Sequence, residues 1–107
     1  MSIANTPVPP YYAVIFTSKL SDNCIGYDEM AKKMTDLVKN QKGFLGMESA
    51  RENIGITVSY WDSISSIKNW KNNIEHKQAQ KLGKEKWYTT YKTRIVKIEH
   101  DYGFNLD

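Results

Sequence analysis

The sequence predicts an α+β domain, a four-stranded antiparallel sheet in the order βαββαβ with both helices on one face. Three observations predict it. Segments near residues 11–18, 44–52, 56–61 and 91–101 are rich in β-branched and aromatic residues and read as strands. Apolar residues recur at helical spacing between the first and second of these, and again between the third and fourth. A short turn, Asn53-Ile54-Gly55, joins the second strand to the third, so these two form a hairpin. Right-handed crossovers then give the ferredoxin-like arrangement.

Taken in order, Tyr11-Tyr-Ala-Val-Ile-Phe-Thr-Ser18 is apolar on both alternating faces, with Val14 and Phe16 against Ala13 and Ile15. Such a strand is covered on two sides. The first helix carries Tyr27, Met30, Met34, Leu37 and Val38 on one stripe, and Asp28 and Glu29 in its first turn suit the positive end of the helix dipole. Asn40-Gln-Lys-Gly43 closes it, with Gly43 where a left-handed cap is common. Gly43 and Gly55 are both expected at turn positions that need permissive backbone angles. Asp62 or Ser63 caps the second helix, whose stripe is Ile64, Ile67, Trp70 and Ile74. Asn72-Asn73 breaks or bends that helix, and a short helical piece follows over residues 75–82, ending at Gly83. The final strand then runs over residues 91–101.

A chain of 107 residues, 40% hydrophobic and 25% charged, is one domain with a modest core. Residues 1–10 read as a flexible lead-in and 11–107 as the domain. No apolar run reaches the roughly 18 residues of a membrane span, and the start lacks the pattern of a secretory signal, so a cytoplasmic protein is expected. The single cysteine, Cys24, fits a reducing compartment and forms no internal disulfide. Net charge is +3, from thirteen lysines and two arginines against twelve acids. Lysines gather around the second helix, but Glu75 and Glu85 interrupt them, and a solvated face accounts for them better than a nucleic-acid surface. Lys42-Gly43-Phe44 matches the start of an RNA-recognition motif, but Leu45-Gly46-Met47 departs from it and the match falls on the wrong strand. Two histidines and one cysteine, with no tight carboxylate cluster, do not make up a transition-metal ligand set. The apolar second face of the sheet needs a cover, and a second copy of the sheet in a two-fold homodimer is the simplest one.

All three tryptophans and four of the seven tyrosines lie between Tyr60 and Phe104, around His76. Aromatics with polar tips line a closed pocket or fill a core, and the sequence leaves both open. Gly43-Phe-Leu-Gly46, Gly55-Ile-Thr-Val-Ser-Tyr-Trp61, Trp70…His76…Ala79…Gly83, Trp87-Tyr88…Tyr91 and Tyr102-Gly103 together resemble the antibiotic biosynthesis monooxygenase family, over nearly the whole chain. The resemblance implies a dimeric α+β barrel with a cavity between sheet and helices in each subunit. Some relatives oxygenate aromatic polyketides without metal or flavin, others degrade haem, and many have no known activity.

His76 is therefore the candidate catalytic base, and Trp70, Trp87 and Tyr91 the candidate substrate-binding residues, for a small apolar or aromatic ligand. The bland alternatives stand beside these. His76 can clasp the break at Asn72-Asn73 by a hydrogen bond, Trp70 can be core, and His100 can be an exposed strand residue. A non-catalytic ligand-binding or structural dimer is the competing class. No cofactor is expected. Haem-degrading relatives combine an asparagine on the first strand, a tryptophan on the second helix and a histidine about three turns later. Trp70 matches the tryptophan, but the first strand offers Thr17 and Ser18, and the histidine's place falls near Gln80.

Overall fold

The computed structural model describes residues 2–106. Its elements are β1 (Tyr11–Leu20), α1 (Tyr27–Val38), β2 (Phe44–Arg51), β3 (Gly55–Trp61), α2 (Ile64–Lys71), α3 (Ile74–Leu82) and β4 (Tyr88–Ile98), with a π-helical turn, Gly83–Trp87, between the last two. The strands form one antiparallel sheet in the order β2-β3-β1-β4, the ferredoxin-like arrangement expected.

β1 is central, paired to β3 on one side and β4 on the other, which explains its two apolar faces. Residues opposite one another in an antiparallel pair share a face. Tyr12 and Val14 therefore point with Trp61 toward the helices. There they join Val38 of α1 and Ile67 of α2, with Phe44, Met47 and Trp70 packed around. Trp61 is fully buried. Tyr11, Ala13, Ile15 and Thr17 point to the other, open face with their partners Tyr60, Val58 and Ile56.

Two junctions fix the layers. Ser63 caps α2 by accepting from the Ser66 amide, as expected of one of the two candidates. Asp62 serves differently: its amide donates to the Gly43 carbonyl at 2.9 Å, and its carboxylate accepts from the Ser66 hydroxyl at 2.7 Å. The turn after α1 is thereby tied to the start of α2. Gly43 has φ +86°, and a Cβ there would collide with Ser66 and Asp62. Asn73 caps α3, its side chain accepting from the Glu75 and His76 amides, so the helix does break where two asparagines stand together.

Two expectations are corrected and a third is extended. Gly55 is not in the left-handed region; it is buried in β3, and its missing side chain makes room for the Arg51 guanidinium. The last α-helix does end at Leu82 with Gly83 as its C-cap, as expected, but the Gly83 backbone is still right-handed helical and opens a π turn, where the Tyr88 ring lies 2.7 Å from any added Cβ. β4 spans Tyr88–Ile98 instead of residues 91–101. It begins early because Tyr88 pairs with Leu20 across a bulge. It stops at Ile98 because its partner β1 starts at Tyr11, after two prolines that have no amide to donate. Asp101 instead accepts a hydrogen bond from the Tyr11 hydroxyl.

The segment before β1 lies against the open face. The Ala4 amide donates to Glu48 at 2.9 Å and the Thr6 hydroxyl to the Tyr11 hydroxyl at 3.0 Å. Glu48 also accepts from the Tyr60 hydroxyl at 2.7 Å, and burial with this bond pushes the Tyr60 phenol up to about 12. The Asp101 bond likewise raises Tyr11.

Candidate functional site

The helix face holds two aromatic groups. The first is a stack of Trp61, Trp70 and His76. The Trp61 and Trp70 rings lie 6.4 Å apart at 30°, and the Trp70 and His76 rings 4.3 Å apart at 17°. The break at Asn73 makes this possible: it lets the chain fold back so that His76 covers the Trp70 indole from the next helix. His76 Nδ1 lies 2.9 Å from the Trp70 carbonyl oxygen. A carbonyl only accepts, so Nδ1 carries the proton and Nε2 keeps its lone pair. Burial lowers the His76 pKa below the usual 6.5, and the bond to Trp70 opposes this. Among the described residues Nε2 has no partner, and no buried side-chain nitrogen or oxygen lacks one, so Nε2 reaches the surface. The result is a neutral imidazole held by one nitrogen, with the basic nitrogen free.

The second group is Phe16, Tyr27, Trp87, Tyr88 and Tyr91, with ring centroids 5.3–5.8 Å apart along the chain of contacts. Trp87 is buried beneath α1, and its indole N–H donates to the Ile25 carbonyl at 3.0 Å. Ser21 adds two bonds to the same turn, from its amide to the Trp87 carbonyl and from its hydroxyl to the Lys86 carbonyl. Trp87 is thus a bolt between the π turn and the loop after β1. Arg51 closes this group, its guanidinium 5.7 Å over the Tyr27 ring and bonded to the Ser18 hydroxyl. Burial and the Tyr27 hydroxyl raise the Tyr88 pKa.

Of the four candidate residues, the structure brings Trp70 and His76 into direct contact and sets Trp87 and Tyr91 in the second group, linked through Tyr27 and Tyr88. Tyr91 is also 36% exposed and lines a shallow depression with Thr17, Ser18, Lys19, Ile54, Thr90, Lys92 and Arg94. A second depression is lined by Ser2, Ile3, Glu48 and Ser49. Neither is lined by His76. Sequence reasoning missed Arg51 and Tyr27; the rarity of arginine in a lysine-rich chain was the signal available for the first.

The residues present do not fit haem. The Ser18 hydroxyl, on the strand that would offer the asparagine, is occupied by Arg51, Gln80 stands near the expected histidine, and the His76 ring face is covered by Trp70. Cys24 is exposed on the loop before α1. No helix among the described residues is long and apolar enough to cross a membrane.

Comparison with known proteins agrees with this architecture. Residues 22–82 match the sequence profile of the antibiotic biosynthesis monooxygenases. The uncharacterised protein YqjZ of Bacillus subtilis is 48% identical over 99 residues, covering 91% of this chain and 87% of the relative. Among solved structures, a Mycobacterium tuberculosis protein superposes with a TM-score of 0.77 at 8% identity, covering 87% of this chain and 99% of that one. SnoaB, a cofactor-independent oxygenase from Streptomyces nogalater, superposes with a TM-score of 0.73 at 8% identity, covering 87% of this chain and 97% of SnoaB. At such identities the two superpositions speak for the fold, whereas the profile match and the Bacillus relative speak for descent, and by these the chain belongs to the antibiotic biosynthesis monooxygenase family.

Proposed function

We propose that this chain is a cofactor-independent monooxygenase for a small aromatic substrate, working in the cytoplasm as a homodimer, with His76 as its base. The observation that carries the proposal is the state of His76: neutral, fixed through Nδ1, and free at Nε2. The family, and the printed description of SnoaB as a cofactor-independent oxygenase, support the reaction class.

In the proposed chemistry Nε2 takes a proton from an acidic methylene flanked by aromatic rings, or from its phenol tautomer. The resulting carbanion adds to O₂ and forms a C–O bond, and the peroxide oxygen takes up the proton. Loss of the second C–H proton then breaks the O–O bond and leaves a carbonyl. The balance is CH₂ + O₂ → C=O + H₂O, with carbon oxidised and dioxygen reduced. Trp70 stacks behind the imidazole and holds its plane, while Trp87 and Tyr91, in the second aromatic group, support the fold around it without touching the imidazole.

One observation favours a second reading, a non-catalytic ligand-binding or structural dimer. The His76–Trp70 bond spans the helix break, as a purely structural clasp would. Two variants separate the readings by oxygen uptake with a panel of aromatic quinols. In His76→Asn the side-chain amide can still donate to the Trp70 carbonyl but cannot act as a base; His76→Ala loses both. A catalytic base predicts a folded, inactive His76→Asn, with kcat/KM down by roughly 10²–10⁴-fold. Activity retained in His76→Asn and lost in His76→Ala assigns the histidine to the clasp.

A further inference from the structure

The open face of the sheet carries one row of side chains whose two ends have opposite charge. Glu48 on β2 faces Val58 on β3, Val58 faces Ile15 on β1, and Ile15 faces Arg94 on β4. Partners in an antiparallel pair share a face, so all of them stand on the side away from the helices. β2 and β4 are the two edge strands. The row therefore runs from an acid at one edge, through two apolar residues, to a base at the other. The next row toward the hairpin, Ala50, Ile56, Thr17 and Lys92, ends in a base but holds no acid.

Neither end of the row is neutralised within the chain. Among the described residues the ion pairs are Lys32–Asp36 and Lys33–Glu75, and neither Glu48 nor Arg94 belongs to one. The Glu48 carboxylate accepts from the Ala4 amide and the Tyr60 hydroxyl, which hold it in place but bring no positive charge. Each of its oxygens keeps room for a second donor. Arg94 is exposed.

A second copy of the sheet supplies both missing partners, but only one way round. Aligned sheets packed face to face are related by a two-fold axis between them, running either across the strands or along them. An axis across the strands keeps the strand order and lays β4 on β4, so Arg94 and Lys92 meet their own kind. Glu48 then lies over β2, whose open face, Gly46, Glu48 and Ala50, has no cation. An axis along the strands reverses the order and keeps the height, so each row lies on its own counterpart. Arg94 then meets the partner's Glu48, and Ile15 meets the partner's Val58. Stacked sheets lie about 10 Å apart, a gap that an arginine and a glutamate reaching from opposite sides can span. We infer that the homodimer forms about an axis along the strands, with an Arg94–Glu48 ion pair at each of its two seams. This rests on the homodimer reading and adds to it the contacts that decide which way the copies meet. Ile15, Val58 and Ile56 supply the buried apolar area, and the charged ends exclude the other orientation.

The test is the dimer dissociation constant of the full chain and its charge-reversed variants by sedimentation equilibrium. Arg94→Glu places two acids at each seam and Glu48→Arg two bases, and each is expected to raise the constant at least about tenfold. An equimolar mixture of these two variants should recover near wild-type affinity as a heterodimer, because each seam then pairs an acid with a base. The double variant, Arg94→Glu with Glu48→Arg, should recover it as a homodimer. Glu48→Gln keeps an acceptor oxygen for the Ala4 amide, so adding it to Arg94→Glu should relieve part of the loss even where Glu48→Arg disturbs the fold. Arg94→Glu that dimerises as tightly as the wild type overturns the inference and leaves the homodimer reading standing. No recovery in the mixture, together with no relief by Glu48→Gln, does the same. A wild-type monomer ends both.

Discussion

At Gly43 a methyl group would meet Ser66 and Asp62 with the backbone already in the left-handed region; at Gly55 it would meet only the far end of Arg51. The two glycines therefore fail differently. Gly43→Ala is expected to cost about 2 kcal/mol or more, since strain and collision add at a junction that cannot give. Gly55→Ala should cost only about 1 kcal/mol, the loss of the Arg51–Ser18 bond, because a guanidinium can swing away. Chemical denaturation checks both, and in an Arg51→Ala background the cost of Gly55→Ala should nearly vanish. A pH prediction belongs to His76. Its pKa is lowered in the fold, so below pH 6.5 the unfolded chain gains a proton that the folded chain resists. Stability therefore falls as pH drops from 6.5 through the folded value, and above 6.5 it no longer varies with the protonation of His76. Melting temperatures of the wild type and His76→Asn should converge in acid and separate toward neutrality, the wild type being the more pH-dependent of the two.

The helix pair α2–α3 is where local sequence rules and tertiary packing act on the same residues. Asn73 caps α3 with two backbone bonds, and the break it makes sets His76 on Trp70. Asn73→Ala should cost about 1 kcal/mol by thermal melting. Trp70→Ala, which empties the middle of the Trp61–Trp70–His76 stack, should cost about 3 kcal/mol or more. These elements were legible in advance because their signals are local: helical periodicity, Ser63 and Asn73 at caps, and β-branched runs. The strand order followed from connection lengths. What the sequence concealed was set by partners distant along the chain. The start and stop of β4 depend on where β1 begins, and the π turn depends on Trp87 reaching the Ile25 carbonyl. Gly55 is small because Arg51 lies over it. For the candidate site, periodicity placed Trp70 inward and the Asn pair placed His76 near it. No periodicity could show that Trp87 is held as a bolt, or that Arg51 would close the tyrosine group.

At the scale of the whole molecule, the helices cover one face of the sheet and leave the other to the residues ahead of β1 and after β4. Those segments bind at Glu48 and Asp101, toward one end. Ile15, Val58 and Ile56 lie on the uncovered part, and Ile56 is 47% exposed in the single chain. Exposed apolar surface in the middle of a sheet is an interface in search of a partner, and a two-fold dimer with sheets face to face supplies an identical one. The expectation is a dimer at micromolar concentration by sedimentation. Ile56→Lys with Val58→Asp, which places unlike charges on one copy but buries them in the pair, should yield a monomer of unchanged helical content. The same substitutions on a chain that is already monomeric would leave sedimentation as it was, and a wild-type monomer at that concentration would end the dimer proposal. The helix face offers a control. Lys77→Glu leaves the open face untouched, so it should sediment as the wild type does, and a shift to monomer in that variant would place the interface on the helices instead of the sheet.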